Sequence, residues 1–325
     1  MLTLIDGNSL VFRAYYGVHS TLTRSDGMPT GAVYGFLNMI LPILANAKPT
    51  DSFVCVFDAS RISFRQDIYP AYKANRSETP ADLITQSELI RIGVHEMGVP
   101  VLCIPGVEAD DVIATLATNN CDKVDATRII TGDKDLMQLV SNCVFLYDGM
   151  KDKEIREKEV LEKFGVQPNQ VIDVQSLMGD SSDNVPGVPG IGPKKAAELI
   201  NEFKSLDNLY KNLDSVKNER IRNLLIDNQG KAFISKQLVT LKRDVDLSGL
   251  KITPFCFNKK AALEFVQNKI ESKSLVAKIE KLFPGDKQTC KPHITEYEKS
   301  VCPVIDVAEK QKPTAKLGNM NIETI

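Results

Sequence analysis

The sequence contains few of the residues that bind zinc or build a disulfide framework. Its 325 residues include three histidines and seven cysteines. The cysteines are odd in number and scattered, and no two of them form a C-x-x-C pair. Zinc sites and disulfide frameworks usually show regular spacing of these residues. We therefore interpret the cysteines as buried or reduced thiols and do not expect a zinc protein.

The sequence also lacks a long apolar run. None of its hydrophobic segments approaches the roughly eighteen apolar residues that are needed to cross a bilayer. No basic stretch precedes the first apolar segment, Leu2–Ile5, as it would in a secretory signal. We therefore expect no membrane association, a cytoplasmic location and a monomer.

A strong positive charge, the usual mark of a nucleic-acid-binding domain, is absent too, since the formal net charge is −2. Charge is nevertheless segregated along the chain. Seven basic and two acidic residues lie between Lys217 and Arg243. Such a segment can contact phosphates, and the alternative is a solvated helix face.

Short apolar runs rich in β-branched residues alternate with longer periodic segments in the first half of the chain. This alternation predicts an α/β fold with a mainly parallel, twisted sheet and flanking helices. From about Glu157 the pattern becomes helical. We expect an α/β domain (1–165), an all-helical domain (166–285) and a linker or poorly ordered tail (286–325). The predicted strands are Leu2–Ile5, Phe53–Phe57, Val99–Ile104, Arg128–Thr131 and Val144–Tyr147, and the predicted helices include Gly31–Asn46, Leu83–Met97 and Ala109–Asn119.

Carboxylates follow the predicted strands at several places. Asp6 and Asp58 come directly after two of the strands, and further acids open a helix, follow a later strand or lie in the helical half. Each could simply cap a helix or favour its first turn. Together, however, like charges at one sheet edge would raise each other's pKa unless cations neutralised them. The residues are Asp6, Asp58, Glu108, Asp110, Asp111, Asp133, Asp135, Asp180 and Asp183.

This set of oxygen ligands predicts Mg²⁺ or Mn²⁺, in two or more ions, because both metals prefer oxygen donors. Paired ions are a common device for phosphodiester hydrolysis. One alternative is a magnesium phosphohydrolase of small molecules, although its hallmark Asp-x-Asp is missing, since Gly7-Asn8 follows Asp6. Another is a structure-specific DNA-binding protein without catalysis, which we would expect to lack some of these acids.

The segment from Gly187 to Ala197 opens a helix with glycines, a proline, two lysines and two alanines. In a helix–hairpin–helix such a loop presents backbone amides, and often a K⁺ ion, to a DNA phosphate. The alternative is an ordinary corner between two helices. We predict phosphate contacts without sequence specificity from Gly190, Gly192, Lys194 and Lys195.

A second segment, from Arg61 to Arg76, interleaves basic and aromatic residues. Cations can follow the backbone of a single strand, while rings stack on its unpaired bases. We predict substrate contacts from Arg65 and Tyr72. A solvated loop that is anchored by its tyrosines is the alternative.

With these residues identified, the sequence resembles the 5′–3′ exonuclease domain of bacterial DNA polymerase I, in the flap endonuclease family. The resemblance spans roughly Leu2 to Phe283. It is carried, in order, by the segments LIDGNSLVFRAYY, FVCVFDA, FRQDIYPAYKANR, GVEADDVIATLA, TGDKDLMQL and MGDSSDNVPGVPGIGPKKAAELI.

The resemblance implies a PIN-like or resolvase-like nuclease core followed by a helix-3-turn-helix region. It implies one metal site that draws on Asp6, Asp58, Glu108, Asp110, Asp111 and Asp133, and a second that uses Asp135, Asp180 and Asp183. It also implies that Arg13, Tyr72, Lys73 and Arg76 surround the scissile phosphate and the 5′ strand, with Arg13, Lys73 and Arg76 in catalytic roles.

The activity implied is metal-dependent hydrolysis of DNA at a 5′ flap, nick or 5′ end, with RNA–DNA primers among the substrates, in replication and repair. It is compatible with a polymerase or a ligase as protein partner. The polymerase part of DNA polymerase I has no counterpart in this sequence.

Overall fold

The computed structural model describes residues 1–17 and 22–285. The tail predicted over 286–325 lies outside the described residues. Among the helices of the described part, none combines the length and apolar character that a membrane span requires.

A six-stranded sheet forms the centre of the first half. Its strand order is β3-β2-β1-β4-β5-β6. The first five strands are parallel, as predicted, and β6 joins β5 in antiparallel orientation without having been predicted. The bounds are β1 Leu2–Asp6, β2 Ser52–Val56, β3 Val101–Leu102, β4 Thr127–Ile130, β5 Val144–Asp148 and β6 Lys153–Ile155.

Helices cover both faces of the sheet and make up most of the second half. They are α1 Gly7–Gly17, α2 Gly31–Ala45, α3 Phe64–Ile68, α4 Ala81–Glu96, α5 Ala109–Asn120, α6 Glu157–Phe164, α7 Val171–Met178, α8 Pro193–Phe203, α9 Leu206–Lys211, α10 Glu219–Asp227, α11 Gln229–Val239, α12 Lys259–Phe265 and α13 Lys273–Leu282. The predicted fold, a mostly parallel sheet followed by a helical region, is confirmed.

Two hydrophobic cores lie on opposite faces of the sheet because side chains alternate along each strand. Leu2 and Leu4 of β1 point into one core, which continues into α5, α7 and α8. Ile5 points into the other, which is built with α2, α4, α12 and α13. Both faces of β1 are therefore buried, and its apolar residues do not alternate with exposed polar ones.

The last two helices return to the α/β half of the molecule. The backbone N–H of Phe255 donates to the carbonyl of Asp51 at 2.7 Å. The ring of Phe265 packs against Gly93 of α4 so closely that a Cβ there would lie 2.5 Å from it. The helices α12 and α13 therefore pack on the sheet face opposite α5, and the predicted helical domain contributes to both cores.

The strand order reverses between β1 and β4. Successive strands add outward from β1 to β2 and β3, and the chain then crosses back to place β4 on the other side of β1. In open α/β sheets, such a switch point leaves a crevice at the carboxyl ends of the two strands, where ligands bind. Here the crevice lies beside Asp6, the last residue of β1, and Thr131, which follows β4.

The structure corrects the cysteine interpretation at Cys121 and Cys143. Cys121 and Cys143 form a disulfide, with their Cα atoms 5.7 Å apart, a normal separation for such a bond. Cys55 and Cys103 are buried, as predicted.

The packing of α12 on α4 generates a stability prediction. Replacing Phe265 by alanine leaves a cavity beside Gly93, so we expect the free energy of unfolding to fall by about 3–5 kcal/mol in a urea titration. The matched control is Ile226→Ala, because Ile226 is 51% exposed on α10 and should cost no more than about 0.5 kcal/mol. If the free energy of unfolding fell equally in the two variants, α12 would not pack on α4 as the structure shows.

Candidate functional site

Five carboxylates meet at the crevice beside β1 and β4. Asp6 ends β1, Asp58 follows β2, Asp110 lies in the first turn of α5, and Asp133 and Asp135 follow β4. They come from four separate loops or strand ends, so the parallel sheet brings together residues that are far apart in the sequence.

Local contacts fix two of these carboxylates. The hydroxyl of Thr131 donates to Asp6 at 2.7 Å, and the backbone N–H of Ser9 donates to its other oxygen at 3.0 Å. Asp58 accepts from the backbone N–H of Ala109, at the start of α5, at 2.7 Å. The hydrogen bond from Thr131 links the ends of β1 and β4 across the switch point.

Burial and mutual repulsion oppose ionisation of these groups. Burial raises the pKa of Asp6 to about 7, and the charges of Asp133 and Asp58 act in the same direction. Burial also raises the pKa of Asp135 to about 7, with Asp133 adding to the effect. For Asp110, burial and then the charge of Asp133 hold the pKa well above its usual range. If all five groups were ionised, their negative charge would exceed what the surrounding side chains balance.

A second set of carboxylates is paired with cations. Lys73 Nζ lies 2.8 Å from Glu108 and 3.7 Å from Asp183. Arg76 also pairs with Asp183, and Lys134 Nζ lies 2.5 Å from Asp180. Burial opposes ionisation of Asp180, yet Lys134 and a backbone N–H hold its pKa below the usual value. Glu108, Asp180 and Asp183 thus border the five crowded carboxylates and differ from them in being neutralised.

Asp111 and Arg65 do not occupy the predicted positions. Asp111 is fully buried and forms two hydrogen bonds of 2.8 Å with the guanidinium of Arg65, which is 1% exposed. This pairing disfavours the roles predicted for Asp111 as a metal ligand and for Arg65 as a substrate contact, and both roles stay predictions. Each side chain is engaged with the other and neither faces the crevice surface.

Tyr72 also differs from the prediction. Its ring was expected to stack on an unpaired base, but the side chain is 5% exposed. The hydroxyl lies 3.2 Å from Glu108 and 3.4 Å from Asp183. Lys73 Nζ lies 5.0 Å from the ring centroid. Tyr72 therefore contacts the paired carboxylates and Lys73, and its ring faces are not available to DNA in this conformation.

Arg13 lies at the edge of the site rather than among the five carboxylates. Its guanidinium donates to Asp148, at the end of β5, at 2.8 Å, and it lies directly against Gly132. Burial opposes ionisation of Asp148, but a backbone N–H and Arg13 hold its pKa below the usual value. Arg13 thus supports the turn that carries Asp133, and its catalytic role remains a prediction.

The glycine-rich loop ends at the amino terminus of α8. Gly190 adopts a φ of +90°, which other residues rarely adopt. Gly192 precedes the helix, and Pro193 occupies its first position. Lys194 is exposed, whereas Lys195 pairs with Glu198 one turn later. The free N–H groups of the first turn of α8 can donate hydrogen bonds to an anion, and the phosphate contact of this loop stays a prediction.

Sequence reasoning missed three polar residues that shape the site. Thr131 orients Asp6, Ser63 donates to Glu108 at 3.0 Å, and Lys134 neutralises Asp180. A hydroxyl residue between a strand and a Gly-Asp pair was a usable signal for Thr131. Ser63 and Lys134 carried no comparable signal, because their partners come from distant segments.

The donor set fits a hard divalent cation. Every side chain that borders the crevice as a ligand candidate offers carboxylate oxygens, which Mg²⁺ and Mn²⁺ prefer. Within residues 1–17 and 22–285, no three histidine, cysteine or acidic side chains are arranged so that they could hold a metal ion together in this conformation. Mg²⁺ usually keeps several water ligands, which would fill the positions that the carboxylates do not reach.

Comparisons with known proteins agree with this architecture. Residues 1–165 match the family described as 5′-3′ exonuclease, N-terminal resolvase-like domain, and residues 166–283 match its C-terminal SAM fold. The chain is 37% identical to a 5′-3′ exonuclease of Aquifex aeolicus, over 87% of this chain and 96% of that protein. It is 38% identical to the DNA polymerase I of Rhizobium leguminosarum, and spans 33% of the length of that relative.

A solved structure shares the fold. A flap endonuclease of bacteriophage T5, crystallised with DNA and metal ions, superposes with a TM-score of 0.62 at 21% identity, over 86% of this chain and 98% of that one. At this identity the similarity supports the fold alone. On the strength of both family matches and the Aquifex relative, the chain belongs to the 5′-3′ exonuclease family.

Proposed function

We propose that this chain hydrolyses phosphodiester bonds of DNA close to a 5′ end or 5′ flap, with Mg²⁺ or Mn²⁺ as cofactor. The observation that carries the proposal is the group of five carboxylates at the switch point, one buried and four partly buried, which desolvation and mutual repulsion keep from ionising together. Divalent cations neutralise such a group, and two of them can activate water and stabilise charge on a phosphate.

The first metal site would draw on Asp6, Asp58, Asp110 and Asp133. The second would draw on Asp135, Asp180 and Asp183, with Glu108 between the two sets. The proposal omits Asp111 because its oxygens are held by Arg65 and by backbone N–H groups. The reduced ligand set still supplies oxygen from both halves of the chain.

Lys73 and Arg76 would act on the phosphate itself. Lys73 Nζ contacts Glu108 and Asp183, and Arg76 remains 48% exposed at the border of the site. Both cations can reach an anion that approaches the carboxylates from solvent. There they would stabilise the negative charge that develops on the phosphate oxygens during cleavage.

The duplex part of the substrate would bind the loop before α8. The exposed Lys194 and the free backbone N–H groups at the start of α8 support this assignment. A K⁺ ion at the same loop is part of the proposal. The substrates would be 5′ flaps, nicks, 5′ ends and RNA–DNA primers, in the cytoplasm, with a polymerase or ligase as partner.

The first prediction concerns Asp133. In Asp133→Ala the cleavage rate of a labelled 5′-flap substrate with Mg²⁺ should fall by at least about 10²-fold, the order lost with one charge-stabilising group. Flap binding should stay close to that of the wild type. Asp214→Ala, at an exposed acid of the helical half, is the matched control and should keep full activity. An Asp133→Ala protein that cuts at the wild-type rate would contradict the proposal.

The second prediction concerns the loop before α8. Replacing Lys194 and Lys195 together by alanine should weaken binding to duplex-containing substrates of any sequence. It should reduce the slope of log K against log salt by about 1 to 2, because fewer counterions are released. The control pair is Lys158→Ala with Lys260→Ala, two exposed lysines on α6 and α12. If the slope of log K against log salt changed equally in the two double variants, the loop before α8 would be an ordinary corner between helices without a role in DNA binding.

The third prediction concerns the pH dependence of the metal-free protein. Because the pKa of Asp6 is about 7 in the folded chain, the folded state holds a proton that the unfolded state releases at lower pH. Its contribution to stability is therefore complete below the unfolded pKa and is lost as pH rises towards 7. In chelator, wild type should lose more stability than Asp6→Asn between about pH 5 and pH 8 in urea titrations. If the free energies of unfolding of the wild type and Asp6→Asn changed in parallel with pH, Asp6 would not be crowded by its neighbours.

A further inference from the structure

We propose that the buried ion pair between Arg65 and Asp111 positions Lys73 against the carboxylates of the site. The inference rests on the proposed nuclease function. It gives both residues a role that differs from the substrate and metal contacts expected from the sequence, since neither would touch the DNA. They would act by placing Lys73 against the Glu108 carboxylate.

The geometry of the pair restricts movement of both side chains. Arg65 Nη1 donates to one oxygen of Asp111 and Nη2 donates to the other, each at 2.8 Å. Such a two-bond pair fixes the relative plane and direction of its partners as well as their distance. Because both side chains are buried, water cannot replace either bond.

The pair also joins three parts of the chain. Arg65 belongs to α3 and Asp111 to α5. Arg65 Nε donates to the carbonyl of Leu238, at the end of α11, at 2.7 Å. The backbone N–H of Lys242 donates to Asp111 at 2.9 Å. The position of α3 is therefore tied both to the sheet and to the helical half.

Lys73 depends on that position through a short, tightly turned segment. The carbonyl of Arg65 accepts from the N–H of Tyr69, and the carbonyl of Tyr69 accepts from the N–H of Tyr72. Lys73 then adopts a φ of 55°, a left-handed conformation that is uncommon for a residue other than glycine. A strained conformation persists only where its surroundings hold it.

The segment is held on both sides of Lys73. Beyond it, the backbone N–H of Lys73 donates to the carbonyl of Asp183 at 2.9 Å, and the side chain of Asn75 donates to that of Ser181 at 2.7 Å. Before it, the buried anchor is Arg65. Loss of this anchor would release one end of the segment while the other end remained attached.

The same pair holds the partner of Lys73. Asp111 accepts from the backbone N–H of Glu108 at 3.1 Å, and Arg65 Nη1 lies 3.7 Å from the Glu108 carboxylate. Lys73 contacts that carboxylate at 2.8 Å. Arg65 and Asp111 thus fix the positions of both Lys73 and the Glu108 carboxylate. A small shift of the buried pair would therefore change where Lys73 contacts a phosphate.

The test replaces the ion pair without leaving a buried charge unpaired. In the double variant Arg65→Met with Asp111→Leu, apolar side chains of similar size take the place of both partners. We expect single-turnover cleavage of a saturating 5′-flap substrate to slow by about 10²-fold, as for a misplaced catalytic group. The Kd for the flap should stay near the wild-type value. Arg65→Lys keeps the charge but loses the paired geometry. If the double variant does not fold, Arg65→Lys should show the same slow cleavage with a near wild-type Kd.

Two further measurements separate positioning from general stability. In a Lys73→Ala background, the Arg65 variants should cause no additional loss of rate, because they act through Lys73. Arg128→Met is the matched control, since it removes a half-buried guanidinium that contacts Thr3 and the ring of Tyr147. It should leave the rate unchanged.

The outcomes distinguish the two proposals. Slow cleavage with intact binding, absent from the Lys73→Ala background, supports the positioning role. A wild-type rate in both Arg65 variants, or rate losses that simply add to that of Lys73→Ala, overturns it. A wild-type chain that leaves the flap uncut with Mg²⁺ overturns the nuclease proposal and this inference with it.

Discussion

Repulsion between buried carboxylates is the constraint on which the site depends. Five acids are held at the carboxyl ends of parallel strands, where burial and neighbouring charges raise the pKa of groups such as Asp6 and Asp135 to about 7. A stable core on both sides of the sheet offsets this unfavourable arrangement. The fold can therefore maintain a concentration of negative charge that an isolated loop could not.

The cations of the site are placed around this charge and not within it. Lys73, Arg76 and Lys134 each pair with carboxylates at the border, which come from α5 and from the start of the helical half. Under the proposed function, metal ions would bind among the five crowded carboxylates, and the bordering cations would meet the phosphate. The buried pair of Arg65 and Asp111 connects the carboxylates with the bordering cations, because it fixes both α3 and the backbone at Glu108.

The sequence predicted correctly the parallel sheet and the carboxylates at its strand ends. Hydrophobic periodicity, the ends of strands and the positions of carboxylates along the chain are all local properties of the sequence. Asp6 and Asp133 were found in this way. It could not distinguish Asp111 from Asp110, because adjacent residues at the start of α5 face opposite environments that only tertiary packing defines. Arg65 was predicted as a substrate contact for the same reason: its buried partner lies 46 residues away in the chain.

Calorimetric titration of the metal-free chain with Mn²⁺ measures directly whether the crowded carboxylates hold divalent ions. We expect the wild type to take up two or more ions. Replacing both Asp6 and Asp110 by asparagine should abolish this uptake, because these two acids line the centre of the cluster. Equal uptake by the wild type and the double variant, or no uptake by either, would show that the carboxylates do not hold divalent ions.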